Sequence, residues 1–263
     1  MTVRSIPSGF APLLQLLELE QPRVVTTAQL GDLAQDAALE TPVDVVVRRL
    51  RERGWLLPLA TKGVWEFAPA SRAGAFGTGD PFIELRAVLA RNPDAPYSVA
   101  AESAAYLLGY ASRQPELECV GAPPTARPPA SFAGLRIVRW NPSTPLLGRD
   151  QLPIWAPATL IAFMATRPSA YHDWPNVGEW LRQAASAVAL DDITGELAGR
   201  SAGSWARAAY LLYAGGAADT ATELVRRAPG GSGPHFLGDR ARPGRYSRAY
   251  DVIDSSGMDI KTA

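Results

Sequence analysis

Residues 41–54, Thr-Pro-Val-Asp-Val-Val-Val-Arg-Arg-Leu-Arg-Glu-Arg-Gly, constrain this chain more than any other stretch. Val43, Val46, Val47 and Leu50 recur at i, i+3, i+4 and i+7, so a helix over 41–53 gathers them into one apolar stripe. Val45, Arg48, Arg49, Arg51 and Glu52 then fall on the opposite or flanking faces. Thr41 reads as the N-cap, Pro42 as the first helical residue and Asp44 as the acid of a capping-box-like spacing. Gly54 stands where a left-handed cap ends such a helix. One side of this helix must be buried, and the other presents guanidinium groups.

The flanking sequence supplies a context for it. Leucines at 13, 14, 16 and 17 mark a first helix over 10–18, closed by Gln21-Pro22. A second helix runs from Ala28 to Ala34, capped by Thr26 or Thr27, with Leu30, Leu33 and Ala34 toward the core. After the third helix, Trp55–Leu59 and Val64–Ala68 are β-prone runs around a turn containing Gly63, which predicts a hairpin. Three helices and a hairpin in that order are those of a winged helix-turn-helix, with Lys62 at the tip of the wing. Residues 69–80 are small and lack an apolar period, which predicts a boundary between a domain at 1–70 and another at 81–263.

In the second domain, helices are expected from Asp80-Pro81 to Arg91, from a Ser98 cap to Tyr110, and over 157–166, 177–187, 193–197, 204–213 and 220–227. Strands are expected at 116–120, 135–140 and 250–253. The fold class is therefore α+β, an N-terminal winged helix-turn-helix followed by a larger mixed α+β domain.

Such a third helix enters a DNA major groove. Thr41, Asp44, Val45 and Arg48 would lie nearest base edges, and Arg49, Arg51 and Lys62 on backbone phosphate. The plainer alternative is a solvated arginine face with no ligand. Global charge favours neither, because 26 Lys and Arg balance 26 Asp and Glu. Only Lys62 and Lys261 are lysines, so 24 of the 26 cations are arginines, suited to bidentate bonds with phosphate or guanine. Residues 1–70 hold seven basic and eight acidic residues, so any DNA-binding face there must be locally segregated. Arg226, Arg227, Arg240, Arg242, Arg245 and Arg248 face one acid, Asp239, within 226–248. That segment reads either as a basic surface for nucleic acid or an acidic partner, with Phe236 and Tyr246 for stacking, or as a solvated loop.

Residues that could carry catalysis have simpler readings. Tyr171-His172-Asp173-Trp174 contains a possible His–Asp pair, but no nucleophile motif adjoins it. Asp191-Asp192 fits a helix N-terminus. Gly77-Thr78-Gly79 and Gly230-Gly231-Ser232-Gly233 match no phosphate-binding or dinucleotide fingerprint. Cys119 is the single cysteine, unable to form an internal disulfide or build a zinc site alone, and reads as a buried strand residue. The expectation is a non-enzymatic protein without metal or cofactor. Its first apolar stretch reads as an amphipathic helix and not a signal peptide, and no run approaches a membrane span, so a reducing cytoplasm is expected.

Several stretches together resemble the AbiEi-type antitoxins of bacterial abortive-infection and toxin–antitoxin operons. They are the helix–Thr/Pro–helix–hairpin run from Thr27 to Phe67, the small-residue helix Ser98–Gly109, the strand pair near 117 and 137, and the ending Gly244–Ile253. The resemblance implies an N-terminal domain that represses its own operon by binding double-stranded promoter DNA. It implies a C-terminal domain that counteracts a nucleotidyltransferase-type toxin encoded next door, with direct contact between the two proteins left open. The sequence departs from the family in the acidic balance of residues 1–70. A different class also fits: a ligand-responsive winged-helix transcription factor whose residues 81–263 form a small-molecule sensor.

Overall fold

The computed structural model describes residues 5–7, 9–71 and 77–259. Residues 72–76 of the expected boundary segment lie outside them. The chain is α+β and divides into two compact units, residues 1–96 with 128–134 and residues 97–127 with 135–263. Among the described residues no helix is long and apolar enough to cross a membrane.

The first unit opens with α1 (Ala11–Glu20), β1 (Val24–Thr26) and α2 (Thr27–Asp36). Thr26 caps α2 through a complete capping box. Its hydroxyl accepts from the Gln29 N–H at 3.1 Å, and its own N–H donates to the Gln29 side chain at 2.8 Å. The third helix, α3, spans Val43–Glu52, with Gly54 in the left-handed conformation just beyond it. β2 (Leu56–Pro58) and β3 (Val64–Phe67) form the expected antiparallel hairpin. β1 adds to its far side, giving the sheet order β1-β3-β2. Leu13, Leu17, Leu30, Val46, Leu50, Trp55, Leu56 and Phe67 pack into one core, so all three helices and the hairpin share a single apolar centre. α4 (Ile83–Arg91) packs on β1 and β3 within the same unit.

Two helix starts differ from the sequence reading. The Thr41 N-cap is corrected: Pro42 holds that position, its carbonyl accepting from Val45 at 3.0 Å and Val46 at 3.1 Å, and no side chain caps the helix. A residue before proline is pushed toward extended backbone, which leaves Thr41 outside the first turn. The Ser98 cap is also corrected. Ser98–Val99 form β4, because Val99 is drawn between Val120 and Ile154 in the middle of a sheet. α5 begins only at Ala101 and runs to Leu107. Tertiary pairing has overridden a local capping signal.

In the second unit β5 (Cys119–Ala122), β6 (Arg136–Arg139), β7 (Leu147–Arg149) and β8 (Leu152–Ile154) join β4 in a five-stranded sheet of order β6-β5-β4-β8-β7. Gly121 is needed in β5, since a Cβ there would lie 2.7 Å from the buried Trp155 indole nitrogen. α6 (Pro157–Thr166) is the central helix. It is buried on all sides from Pro157 to Ala165, as expected of a helix apolar all round. α5, α7 (Trp174–Ser186), α8 (Leu190–Leu197) and α9 (Ala202–Ala214) pack against it. α10 (Ala218–Arg227) lies on α9, and a small sheet of β9 (His235–Gly238), β10 (Arg245–Ser247) and β11 (Val252–Ser255) follows in the order β10-β11-β9.

Candidate nucleic-acid interface

α3 is anchored through Val46, Val47 and Leu50, of which Val46 and Leu50 are fully buried. At 3.6 residues per turn, Arg48 falls on the side away from that seam, together with Val45 and Glu52. It is exposed and makes no hydrogen bond or ion pair among the described residues. Its neighbours are differently employed. The Arg49 guanidinium lies over the Phe10 ring at 5.6 Å, and that of Arg51 over the Trp65 ring at 4.8 Å. Arg53 donates to the Ser5 hydroxyl. Each cation–π contact contributes on the order of 0.5–1 kcal/mol at exposed sites. These contacts tie the two flanks of α3 to the segment before α1 and to the β3 strand of the hairpin.

The remaining expected contact residues are arranged around Arg48. Asp44 is exposed, Val45 and Thr41 are half-buried on the same side of α3, and Lys62 is exposed in the turn between β2 and β3. Two acids of this region are engaged by backbone N–H groups. Glu66 of β3 is turned inward at 6% exposure and accepts from the Thr78 N–H, and Glu18 accepts from the Ala70 N–H. Asp44 and Glu52 stay on the exposed surface of α3, so that face is mixed, with Arg48 foremost.

The arginines of 226–248 separate into two groups. Arg226 and Arg227 end α10 and pair with Glu223, at 3.1 and 3.4 Å, and Arg227 also reaches Asp191 at 3.4 Å. Arg240, Arg242, Arg245 and Arg248 lie on or beside the loop between β9 and β10 and along β10, all exposed. Arg240 stacks over Phe236 at 5.5 Å, and Arg242 faces Asp239 at 3.7 Å. Tyr246 is exposed and its hydroxyl donates to Asp251. The arginine-rich segment is thus two separate clusters, partly neutralised by acids that lie outside it in sequence.

Two of the buried carboxylates that sequence reasoning missed organise clusters of hydrogen bonds. Glu196 of α8 is 2% exposed and accepts four hydrogen bonds. These come from Trp140 Nε1 at 3.1 Å, the Ser143 and Thr144 N–H groups at 2.9 and 2.8 Å, and the Thr159 hydroxyl at 2.6 Å. Its position three residues after the core residue Ile193, on the buried face of α8, was the available signal. Glu102 of α5 is the second. It accepts from Arg136 Nη2, from the His172 N–H at 2.6 Å and from the Cys119 thiol at 3.4 Å. A lone charge in the run Ala-Ala-Glu-Ser-Ala-Ala could have drawn attention to it.

This second cluster absorbs the residues that could have suggested catalysis. Arg136 Nη1 donates to the Ala170 carbonyl at 3.0 Å and meets His172 Nδ1 at 2.9 Å, so Nδ1 must be the acceptor. The His172–Asp173 pair is not made, since the Asp173 carboxylate accepts from Asn176 instead. Cys119 is fully buried, and burial pushes its thiol up to about 11, the range of an inert thiol. Among the described residues no group of three or more His, Cys, Asp or Glu is placed to hold a metal.

Partial desolvation and, secondarily, the Arg136 charge lower the pKa of His172, which stays largely exposed. A histidine lowered in the folded state from an unfolded value of about 6.5 favours folding fully above that pH. The contribution is lost as pH falls through 6.5 toward the folded value, because the unfolded chain then binds the extra proton. The melting temperature is therefore expected to fall between pH 7.5 and 5.5, and to fall less in His172→Gln, which still offers Arg136 an acceptor. An identical fall in both proteins would remove His172 from the effect.

Residues 97–214 match the family model of the AbiEi antitoxin C-terminal domain. The chain is also similar, at 28% identity and a TM-score of 0.77, to the crystal structure of the RV2827C protein from Mycobacterium tuberculosis. That similarity covers 97% of this chain and 94% of the other. No curated protein matches the chain.

Proposed function

Because the chain is of the AbiEi antitoxin type, carrying that domain over residues 97–214, we propose that it is the antitoxin of a toxin–antitoxin pair that also represses its own operon. In this reading the first unit is a winged helix-turn-helix. α3 enters the major groove, Arg48 and the residues around it meet base edges, and Lys62 of the β2–β3 turn meets the phosphate backbone. The toxin is a nucleotidyltransferase-type enzyme encoded beside it. The observation that supports DNA binding is the arrangement of α3, with its valine–leucine seam sealed in the core and Arg48 exposed, without a protein partner among the described residues. The antitoxin domain favours this reading over a small-molecule sensor at 81–263.

Two assays separate the two halves of the proposal. In a gel-shift experiment with DNA from upstream of its own gene, Arg48→Ala is expected to weaken binding by about tenfold or more, the loss of one base-contacting arginine. Unchanged binding removes α3 from the mechanism. Co-expression with the neighbouring reading frame is expected to rescue growth from that frame's toxicity, and a neighbour that is not toxic would overturn the antitoxin pairing. Arg48→Ala is expected to keep the rescue, because antidote and repression reside in different units.

A further inference from the structure

A cavity of about 660 Å3 opens in the second unit where the loop before β10 meets the chain following β11. Its volume lies within the range of small-molecule sites and is far larger than a bare phosphate ion. Two guanidinium groups, Arg242 and Arg245, and the apolar surfaces of Pro243 and Met258 line it. Arg245 makes no hydrogen bond or ion pair among the described residues, and Arg242 has only Asp239, 3.7 Å away, with both side chains more than half exposed. A contact of that kind is screened and readily exchanged for a ligand.

The loop that carries both arginines is held at two points. Pro243 fixes one backbone torsion, and Gly244 is pressed onto β11 so closely that a Cβ would lie 2.7 Å from the Asp254 carbonyl oxygen. The acid in the wall, Asp254, is already engaged with the protein. One carboxylate oxygen accepts from the Tyr210 hydroxyl at 2.9 Å, and the other from the Ser256 N–H at 3.0 Å and hydroxyl at 2.6 Å. Three of its acceptor sites are taken up by these bonds, and its charge stays in the wall. The remaining acid, Asp259, is exposed. The cavity is therefore lined by two exposed guanidinium groups, two acids and an apolar surface, with Arg245 opposite Asp254 in the β10–β11 pair.

We propose that this cavity binds the phosphate monoester of a small organic molecule. Arg242 and Arg245 hold the phosphoryl oxygens by charge-assisted, forked hydrogen bonds, and the organic part lies against Pro243 and Met258. The lining residues other than Tyr210 lie outside the matched antitoxin domain, and the proposal does not rest on DNA binding by α3.

Isothermal titration of the full chain with phenyl phosphate tests it, with inorganic phosphate and phenol as the comparison ligands. Phenyl phosphate is expected to bind, inorganic phosphate to bind at least about tenfold more weakly, and phenol not to bind. The Arg242→Ala/Arg245→Ala double variant is expected to lose about tenfold or more in affinity, the scale of one charge-assisted hydrogen bond. Both arginines are exposed, so the unliganded melting temperature should be unchanged. Arg245→Lys, which keeps the charge but not the fork, should fall between the two. Absence of phenyl phosphate binding overturns the proposal, as does equal binding by the double variant. Inorganic phosphate binding as tightly as the ester would mean a simple anion site and also overturn it.

Discussion

Glu196→Ala is expected to cost about 3–5 kcal/mol of stability, the scale of leaving several buried neutral donors without their acceptor. The substitution removes the acceptor of four donors at once: the Trp140 indole, the Thr159 hydroxyl and the N–H groups of Ser143 and Thr144. Each buried donor left without a partner costs about 1–3 kcal/mol, reduced where the chain relaxes or water enters. Among the described residues the segment 140–144 has no other carboxylate anchor, so it should loosen first. Hydrogen exchange at Ser143 and Thr144 is expected to speed up along with the fall in melting temperature. Glu196→Gln should be milder, because its amide oxygen retains an acceptor while its NH2 group faces donors. Wild-type-like melting in Glu196→Ala would show that the four bonds contribute little net stability.

Leu50→Ala is the second large effect, and it reaches function. Leu50 is fully buried in the core that joins α1, α2, α3 and the hairpin. Large-to-small substitutions at such positions cost about 2–5 kcal/mol, the spread reflecting how far the cavity collapses. Here the loss falls on the seam that fixes the orientation of α3. Promoter binding is expected to disappear with the folding of the first unit, while the second unit, with its own core around α6, keeps rescuing growth from the toxin. Conversely, Glu196→Ala should weaken the rescue and spare promoter binding. If both variants lost both activities together, the two units would not be functionally separable.

Much of this arrangement was legible because local and tertiary signals agree. The α3 stripe of Val43, Val46, Val47 and Leu50, the Gly54 terminator and the hairpin at Gly63 are satisfied by residues close in sequence. The apolar run of α6 and the amphipathic repeats of α7 to α10 were visible for the same reason. Where sequence reasoning erred, either a distant partner or an unadvertised local backbone geometry decided the outcome. Ser98 looked like a helix cap because nothing nearby reveals that Val99 will sit between Val120 and Ile154. The β7–β8 hairpin turns through Asp150 and Gln151, both with positive φ, where asparagine and glycine would have advertised the turn. Thr41 was displaced as cap by the proline that follows it.

The candidate interface was legible to a similar depth. Helical spacing set Arg48 toward base edges and Arg49 and Arg51 toward phosphate, but it could not show which of these arginines the protein itself engages. That distinction depends on Phe10 and Trp65, which the fold brings alongside. The buried carboxylates were hidden because Glu102 and Glu196 lie 34 and 56 residues from Arg136 and Trp140, respectively.

Salt dependence of DNA binding by the full chain is the most direct examination of how α3 is used. Fluorescence anisotropy would compare the upstream promoter fragment with a scrambled duplex over a range of salt. Affinity for both should fall with salt, with a slope of about −0.9 per phosphate neutralised. Lys62→Ala is expected to weaken both duplexes alike and to reduce that slope by about 1, whereas Arg48→Ala should weaken the promoter selectively. Equal affinity of native protein and Arg48→Ala for the promoter would contradict the assignment of α3 to the duplex.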